Sequence, residues 1–185
     1  IKIKKNIHHI IKNCGNLKNK EKCLILYDKT TIKIADSFFK ECKKFSMFIK
    51  KIKVKYAPYH GQSLSKSHEK LMCKSDLILC LTKYSIFQGE TRLKASKSGA
   101  RFLSLAFYNN FTLTNPAVSV DYKPLKKLTD KFANIFTKGN YVKIETDNGN
   151  SILYAKILKR IGNSCPGVVK YKGDCGSPPD VEANV

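Results

Sequence analysis

Asp76-Leu77-Ile78-Leu79-Cys80-Leu81-Thr82 is the clearest buried strand in the chain: an unbroken apolar run closed by a polar residue at each end. Continuous runs of this kind belong to strands covered on both faces, whereas a half-buried strand alternates. Lys22-Cys23-Leu24-Ile25-Leu26-Tyr27 has the same character and stops at Asp28, with Thr30 or Thr31 able to cap the helix after it. Ile32, Ala35, Phe38, Phe39, Cys42 and Phe45 then recur at helical spacing, with Lys33, Lys40, Lys43 and Lys44 on the other face. Interleaved Phe and Lys also suit a nucleic-acid stacking surface, but the helical period favours core packing.

Outward from these two runs the alternation continues. Residues 49–56 read as a lysine-marked edge strand, 65–74 as a short helix, 88–98 as a helix stopped by Gly99, and 101–106 as a further strand. Leu125, Leu128, Phe132 and Ile135 give an amphipathic helix ending near Gly139, with that stripe expected to face the core. Phe107, Tyr108 and Phe111 read as buried; an interface is one use for them, and core or loop packing is the simpler account. Repeated βα units imply an α/β fold: a mostly parallel sheet with helices on both faces, Rossmann-like. The pattern then changes. Residues 141–146 and 151–157 flank Asp147-Asn148-Gly149-Asn150, a strong tight-turn signal, and predict an antiparallel hairpin. The expected division is an α/β domain over 1–138 and, over 139–185, a hairpin that begins a second unit. The chain lacks an initiating Met and stops at the start of a strand, so both ends are expected to continue in the natural protein.

The chain has 185 residues, 42% hydrophobic, with a formal charge of +21. Charge of that size usually signals nucleic acid or an anionic surface. Here the lysines are dispersed, and only Arg92, Arg101 and Arg160 are arginines, the better readers of phosphate and guanine. A solvated lysine surface is the expectation, not a nucleic-acid site. No apolar run is long enough to span a bilayer, and residues 1–5 have no signal-peptide core. Seven cysteines without a CxxC pair fit free thiols in a reducing, cytoplasmic setting; Cys165 and Cys175 are the only pair suited to staple a loop.

Familiar catalytic motifs are missing. No GxGxxG or Walker lysine follows the first strand, no HExxH or HxH occurs, and no GxSxG elbow occurs. His8 and His9 are expected to be exposed on a lysine-rich helix, His60 to sit in a turn and His68 in a short helix. Ligands of parallel sheets bind beyond the carboxyl ends of strands, near a switch point. That rule selects Asp28 and Thr82 as ligand-binding candidates; the local alternative is that both satisfy loop amides and caps. Glu182 follows a rigid Gly176-Ser177-Pro178-Pro179-Asp180-Val181 turn, and a carboxylate at such a corner can take a hard or borderline metal ion.

The order of these pieces resembles one family. Leu24-Ile25-Leu26-Tyr27-Asp28, then 75–85, then Thr91-Arg92-Leu93-Lys94-Ala95 through Gly99-Ala100-Arg101, then Asp121-Tyr122 before a helix, the Thr146-Asp147-Asn148-Gly149 hairpin, and Pro178-Pro179-Asp180-Val181-Glu182 together look like the N-terminal half of the thermophilic-metalloprotease-type leucyl aminopeptidases, or aminopeptidase T. The same superfamily includes iron-dependent dihydroxypyridine dioxygenases. The resemblance implies a metal-dependent hydrolase acting on a peptide substrate, with Glu182 as one ligand to a divalent metal ion (Zn, Co or Mn) and the other ligands outside this chain. The isolated chain is then expected to be inactive. It also implies a possible homo-oligomer. The chain departs from the family pattern in reading Gly89-Glu90-Thr91-Arg92 where His-Thr is frequent, and Pro-Asp-Val-Glu where Gly-Glu is frequent. The alternatives are an Fe(II) ring-cleaving dioxygenase on the same scaffold, a non-enzymatic basic binding protein, and a fold retained without its chemistry.

Overall fold

Side chains along the apolar runs alternate between two cores. Cys23 and Ile25, Leu77 and Leu79, and Leu103 and Leu105 point to one side; Leu24 and Leu26, Ile78 and Cys80, and Phe102 point to the other. This is why the runs show no polar alternation: both faces are covered.

The computed structural model describes residues 2–185, so Ile1 of the N-terminal Ile-Lys run lies outside the described residues. The strands of the sheet are β1 (Cys23–Tyr27), β2 (Ile49–Lys53), β3 (Leu77–Leu81) and β4 (Arg101–Ser104), joined much later by the two-residue β8 (Cys175–Gly176). Their order is β2-β1-β3-β4-β8, with every pairing parallel. The first face is covered by α1 (Lys2–His9), a π-helical turn at Ile10–Cys14, and α2 (Ile32–Cys42). The second is covered by α3 (Lys66–Cys73) and α4 (Glu90–Lys97). A parallel sheet between helices, followed by a hairpin, matches the sequence expectation. Lysine-rich β2 is indeed an edge.

At the amino ends of the strands Arg101 is 5% exposed, and its Nη2 donates to Glu21 Oε2 at 2.6 Å. Gly99 ends α4 at φ +96°, a left-handed conformation that only glycine adopts without cost. Beyond β4 come α5 (Asn110–Thr114), a 3₁₀ turn at Pro116–Ser119, and α6 (Tyr122–Lys138), whose N-cap Asp121 accepts from the Lys123 amide. The hairpin is β5 (Tyr141–Thr146) with β6 (Ser151–Lys156), and β7 (Asn163–Cys165) pairs antiparallel with β9 (Glu182–Asn184).

Two packing expectations are corrected. The helix α6 buries Tyr122, Thr129 and Ala133, not the Leu128-Phe132-Ile135 stripe, each of which is about half exposed. The cause is β7, which docks on the Thr129 side: Ser164 Oγ donates to Asp130 Oδ1 at 2.7 Å, and a side chain at Gly162 would collide with the Ala133 carbonyl. Of the three aromatics expected to pack inward, only Tyr108 is buried; Phe107 and Phe111 are exposed. Residues 163–185 also return to the sheet. Val168 and Val169 join the first core, and the Phe102 amide donates to Asp174 O at 2.9 Å as β8 adds to β4.

Candidate functional site at the carboxyl ends of the strands

The chain leaves β1 toward β2 on one side and takes up β3 on the other, so the order 2-1-3-4 puts a topological switch point between β1 and β3. Asp28 ends β1 and Thr82 ends β3, and the structure brings the two loops together there. Asp28 is 2% exposed. Its Oδ1 accepts from the Thr30 amide at 2.8 Å and the Thr30 hydroxyl at 2.6 Å, while Oδ2 accepts from the Lys83 amide at 2.7 Å. Thr82 Oγ1 donates to Tyr84 O at 2.7 Å, and Thr31 Oγ1 donates to Leu81 O. Both candidates thus spend their polar atoms on the loops that carry them. Asp28 acts as a clamp across the switch point, and the Lys83 amide is held in place by it.

Above this clamp stands an aromatic crest that the sequence reading missed. His60, Tyr84 and Phe107 form a triangle with ring centroids 5.3, 5.5 and 5.6 Å apart, extended by Tyr56 at 6.0 Å from Tyr84. Lys29 Nζ lies 5.0 Å over the Tyr56 ring. Phe107 holds φ +58°, a conformation uncommon for a bulky residue and more often found at functional positions. His60 Nδ1 accepts from the Ser85 amide at 3.3 Å, which leaves the proton of the neutral ring on Nε2. Chemically the crest offers ring faces and an imidazole N–H to a flat or apolar group. Three loops supply its rings and a fourth brings Lys29, so no single segment carries its pattern.

Histidines 8 and 9 depart from expectation: both are half-buried. His8 Nδ1 lies 2.9 Å from Glu41 Oε1 because α1 packs on α2. Burial pulls the His9 pKa below its ordinary value, against the Val120 carbonyl and Asp121, which raise it. A separate cleft of about 530 Å³ is lined by His9, Lys12, Tyr122, Lys123, Lys126 and Lys170 and shares no residue with the crest.

All seven cysteines are free thiols, Cys165 and Cys175 included. Burial pushes Cys14 and Cys80 up to about 12. Cys23 is pushed well up by its contact with Cys42 and by burial. Burial raises Cys165 and Cys175 as well, and the Glu182 carboxylate adds to the rise at Cys165. Thiols held protonated are poor nucleophiles and poor metal ligands.

Glu182 is exposed on β9 opposite Cys165, and its Oε1 accepts from Asn184 Nδ2 at 2.9 Å. The turn before it is tied down: buried Tyr108 donates its hydroxyl to Pro178 O at 2.6 Å. Among the described residues no group of three or more His, Cys, Asp or Glu side chains could hold a metal ion. One carboxylate suits a hard cation, but these residues alone do not make a metal site. Among the described residues no helix is long and apolar enough to cross a membrane.

No family model matches the chain, and no curated protein matches it. Among solved structures, 2,5-dihydroxypyridine dioxygenase from Pseudomonas putida KT2440 is similar, with TM-score 0.77 at 10% identity over 97% of this chain and 54% of that one. The fold is therefore one that this dioxygenase shares, and the chain spans about half its length. At this identity the likeness is one of fold. The aminopeptidase resemblance has no counterpart among these matches.

Proposed function

We propose that this chain is one part of a metal-dependent enzyme: the α/β unit that walls one side of a cleft, with Glu182 as one ligand to a divalent cation. The remaining ligands are then supplied by polypeptide other than residues 1–185. The observation that carries this reading is the extent of the likeness, which runs through 97% of the chain to a catalytic protein. The Tyr108–Pro178 tether supports it, since a ligand works best on a fixed turn.

For the reaction, the ordered motifs favour aminopeptidase-type hydrolysis of a peptide substrate, in a cytoplasmic setting that suits seven free thiols. A second reading, ring-opening dioxygenation with Fe(II), is favoured by the solved structure in this fold. The aromatic crest suits a flat ring in that case. The discriminating experiment takes the natural protein at its natural length, metal-loaded, and measures two activities: release of N-terminal residues from unblocked peptides with zinc, cobalt or manganese, and oxygen uptake with 2,5-dihydroxypyridine and Fe(II). Activity in the first supports the hydrolase and in the second the dioxygenase. A natural protein that binds no metal and does neither contradicts the proposal.

A further inference from the structure

The fold gathers lysines that the sequence keeps apart. Lys12 lies on the π-helical turn at Ile10–Cys14, Lys123 and Lys126 at the start of α6, and Lys170 on the loop between β7 and β8; all four line the cleft of about 530 Å³. Among the described residues Lys126 pairs with Asp130 at 2.7 Å, while Lys12, Lys123 and Lys170 form no ion pair. Asp121 is the one acid on the wall, and its Oδ1 already accepts from the Lys123 amide at 3.0 Å. Like charges around one concavity repel, and a lysine in the first turn of a helix opposes the positive end of its dipole. The first turn of α6 holds no acid to offset this. A bound anion relieves both costs.

The backbone fixes where these side chains start. The Val169 amide donates to the Cys14 carbonyl at 2.7 Å, and the Lys170 amide donates to Asp174 Oδ2 at 2.8 Å. The Lys170 loop is thus pinned to the turn that carries Lys12. Turns of π-helix are rare and often occur at functional sites. One donor on the wall is also left over. Asn13 Nδ2 donates to His9 Nδ1 at 2.9 Å, which puts the proton of the neutral ring on Nε2. That Nε2 is out of contact with solvent and has no hydrogen-bond partner; the Val120 carbonyl is near enough to raise the His9 pKa but does not meet it in a hydrogen bond.

We propose that this cleft binds a small organic molecule carrying two or more phosphate groups, at a site separate from the aromatic crest and from Glu182. Lysine is a point charge suited to a phosphoryl group, whereas the planar fork of arginine matches carboxylates; no arginine lines the cleft. Its volume lies in the range of small-molecule sites and exceeds what a single phosphate fills. Val120, Val168 and the Tyr122 ring supply an apolar wall for the organic body. Single-stranded nucleic acid would want stacking rings beside the lysines, and the rings stand in the crest, which shares no residue with this cleft.

The test is isothermal titration of the natural, full-length protein with fructose 1,6-bisphosphate and with ADP, in EDTA so that no metal centre contributes. Wild type is compared with Lys123→Ala, Lys170→Ala and Lys97→Ala, the last an exposed lysine of α4 on the other face of the sheet. Circular dichroism checks the fold of each. The expected result is saturable binding whose dissociation constant rises at least about tenfold in Lys123→Ala and in Lys170→Ala and is unchanged in Lys97→Ala. Citrate, a carboxylate anion, binds more weakly. No saturable binding of either phosphate compound overturns the proposal. An equal loss in Lys97→Ala also overturns it, since only net charge would then be felt. Citrate binding as tight as that of the phosphates, or binding of oligodeoxythymidine alone, overturns the choice of ligand. The proposal does not rest on the Glu182 reading, and the metal-free titration keeps the failure of one distinct from the failure of the other.

Discussion

The Tyr108 hydroxyl donates to the Pro178 carbonyl across 70 residues of sequence, at 2.6 Å and out of contact with solvent. Through that one bond the loop after β4 holds the turn that leads to Glu182. Tyr108→Phe removes the donor and leaves a buried carbonyl unpaired, at a cost of about 1–3 kcal/mol. Chemical denaturation should register that loss, and amide exchange should quicken most over residues 175–184. Unchanged exchange there would show that the turn is held by something else.

Arg101 and Glu21 set a second expectation. Arg101 is buried and Glu21 about a quarter exposed. Glu21→Ala strands the guanidinium with only the Asn16 carbonyl at 3.4 Å. Losing one partner of a fully buried pair costs about 3–5 kcal/mol, and the exposure of Glu21 puts this case toward or below the lower end. Replacing both with apolar residues should cost less than the two single changes summed, as urea unfolding of the four proteins would reveal.

Acid should destabilise the fold in two stages. His9 has a folded pKa lowered by burial, so below its ordinary value of 6.5 the unfolded chain binds the proton first, and stability falls as the pH drops from there. Glu41 differs: burial raises its pKa, but the hydrogen bonds and charges of Lys44 and His8 outweigh that and hold it below the ordinary 4.5. Its contribution is complete above 4.5 and is lost as the pH falls through the lowered folded value. Thermal melts across pH should show both limbs, with His9→Gln flattening the upper and Glu41→Gln the lower.

At Gly162 the geometry leaves no room. A Cβ there would sit 2.0 Å from the Ala133 carbonyl. Gly162→Ala must therefore push β7 away from α6, at the roughly 1–3 kcal/mol typical of overpacking, and proteolysis after residue 160 should accelerate. An unaltered cleavage rate would place the contact between α6 and β7 elsewhere.

Much of the architecture was legible because burial on both faces leaves an unmistakable mark in the sequence. Leu77–Leu81 and Cys23–Tyr27 could hardly be anything else. Asp28 and Thr82 were legible as strand ends at a switch point, although their hydrogen bonds were not. What escaped has physical reasons. Cys175–Gly176 is too short for periodicity and is a strand only because β4 offers it an edge. Periodicity found the apolar stripe of α6 but not which part of it has a neighbour, so Thr129 and Ala133 took the place assigned to Leu128 and Phe132. The crest of His60, Tyr84 and Phe107 is assembled from separate loops, and only the fold unites them.

In the proposed reading Glu182 helps hold a metal ion in the natural, full-length protein. The direct measurement is metal affinity by isothermal titration with zinc, cobalt, manganese and ferrous iron, for wild type and Glu182→Gln. Changes to outer partners of metal ligands weaken binding by about 10–100-fold, and loss of a ligand should cost no less. Glu182→Gln should show such a loss with folding unchanged; equal affinity in the two proteins would mean that Glu182 is not a ligand.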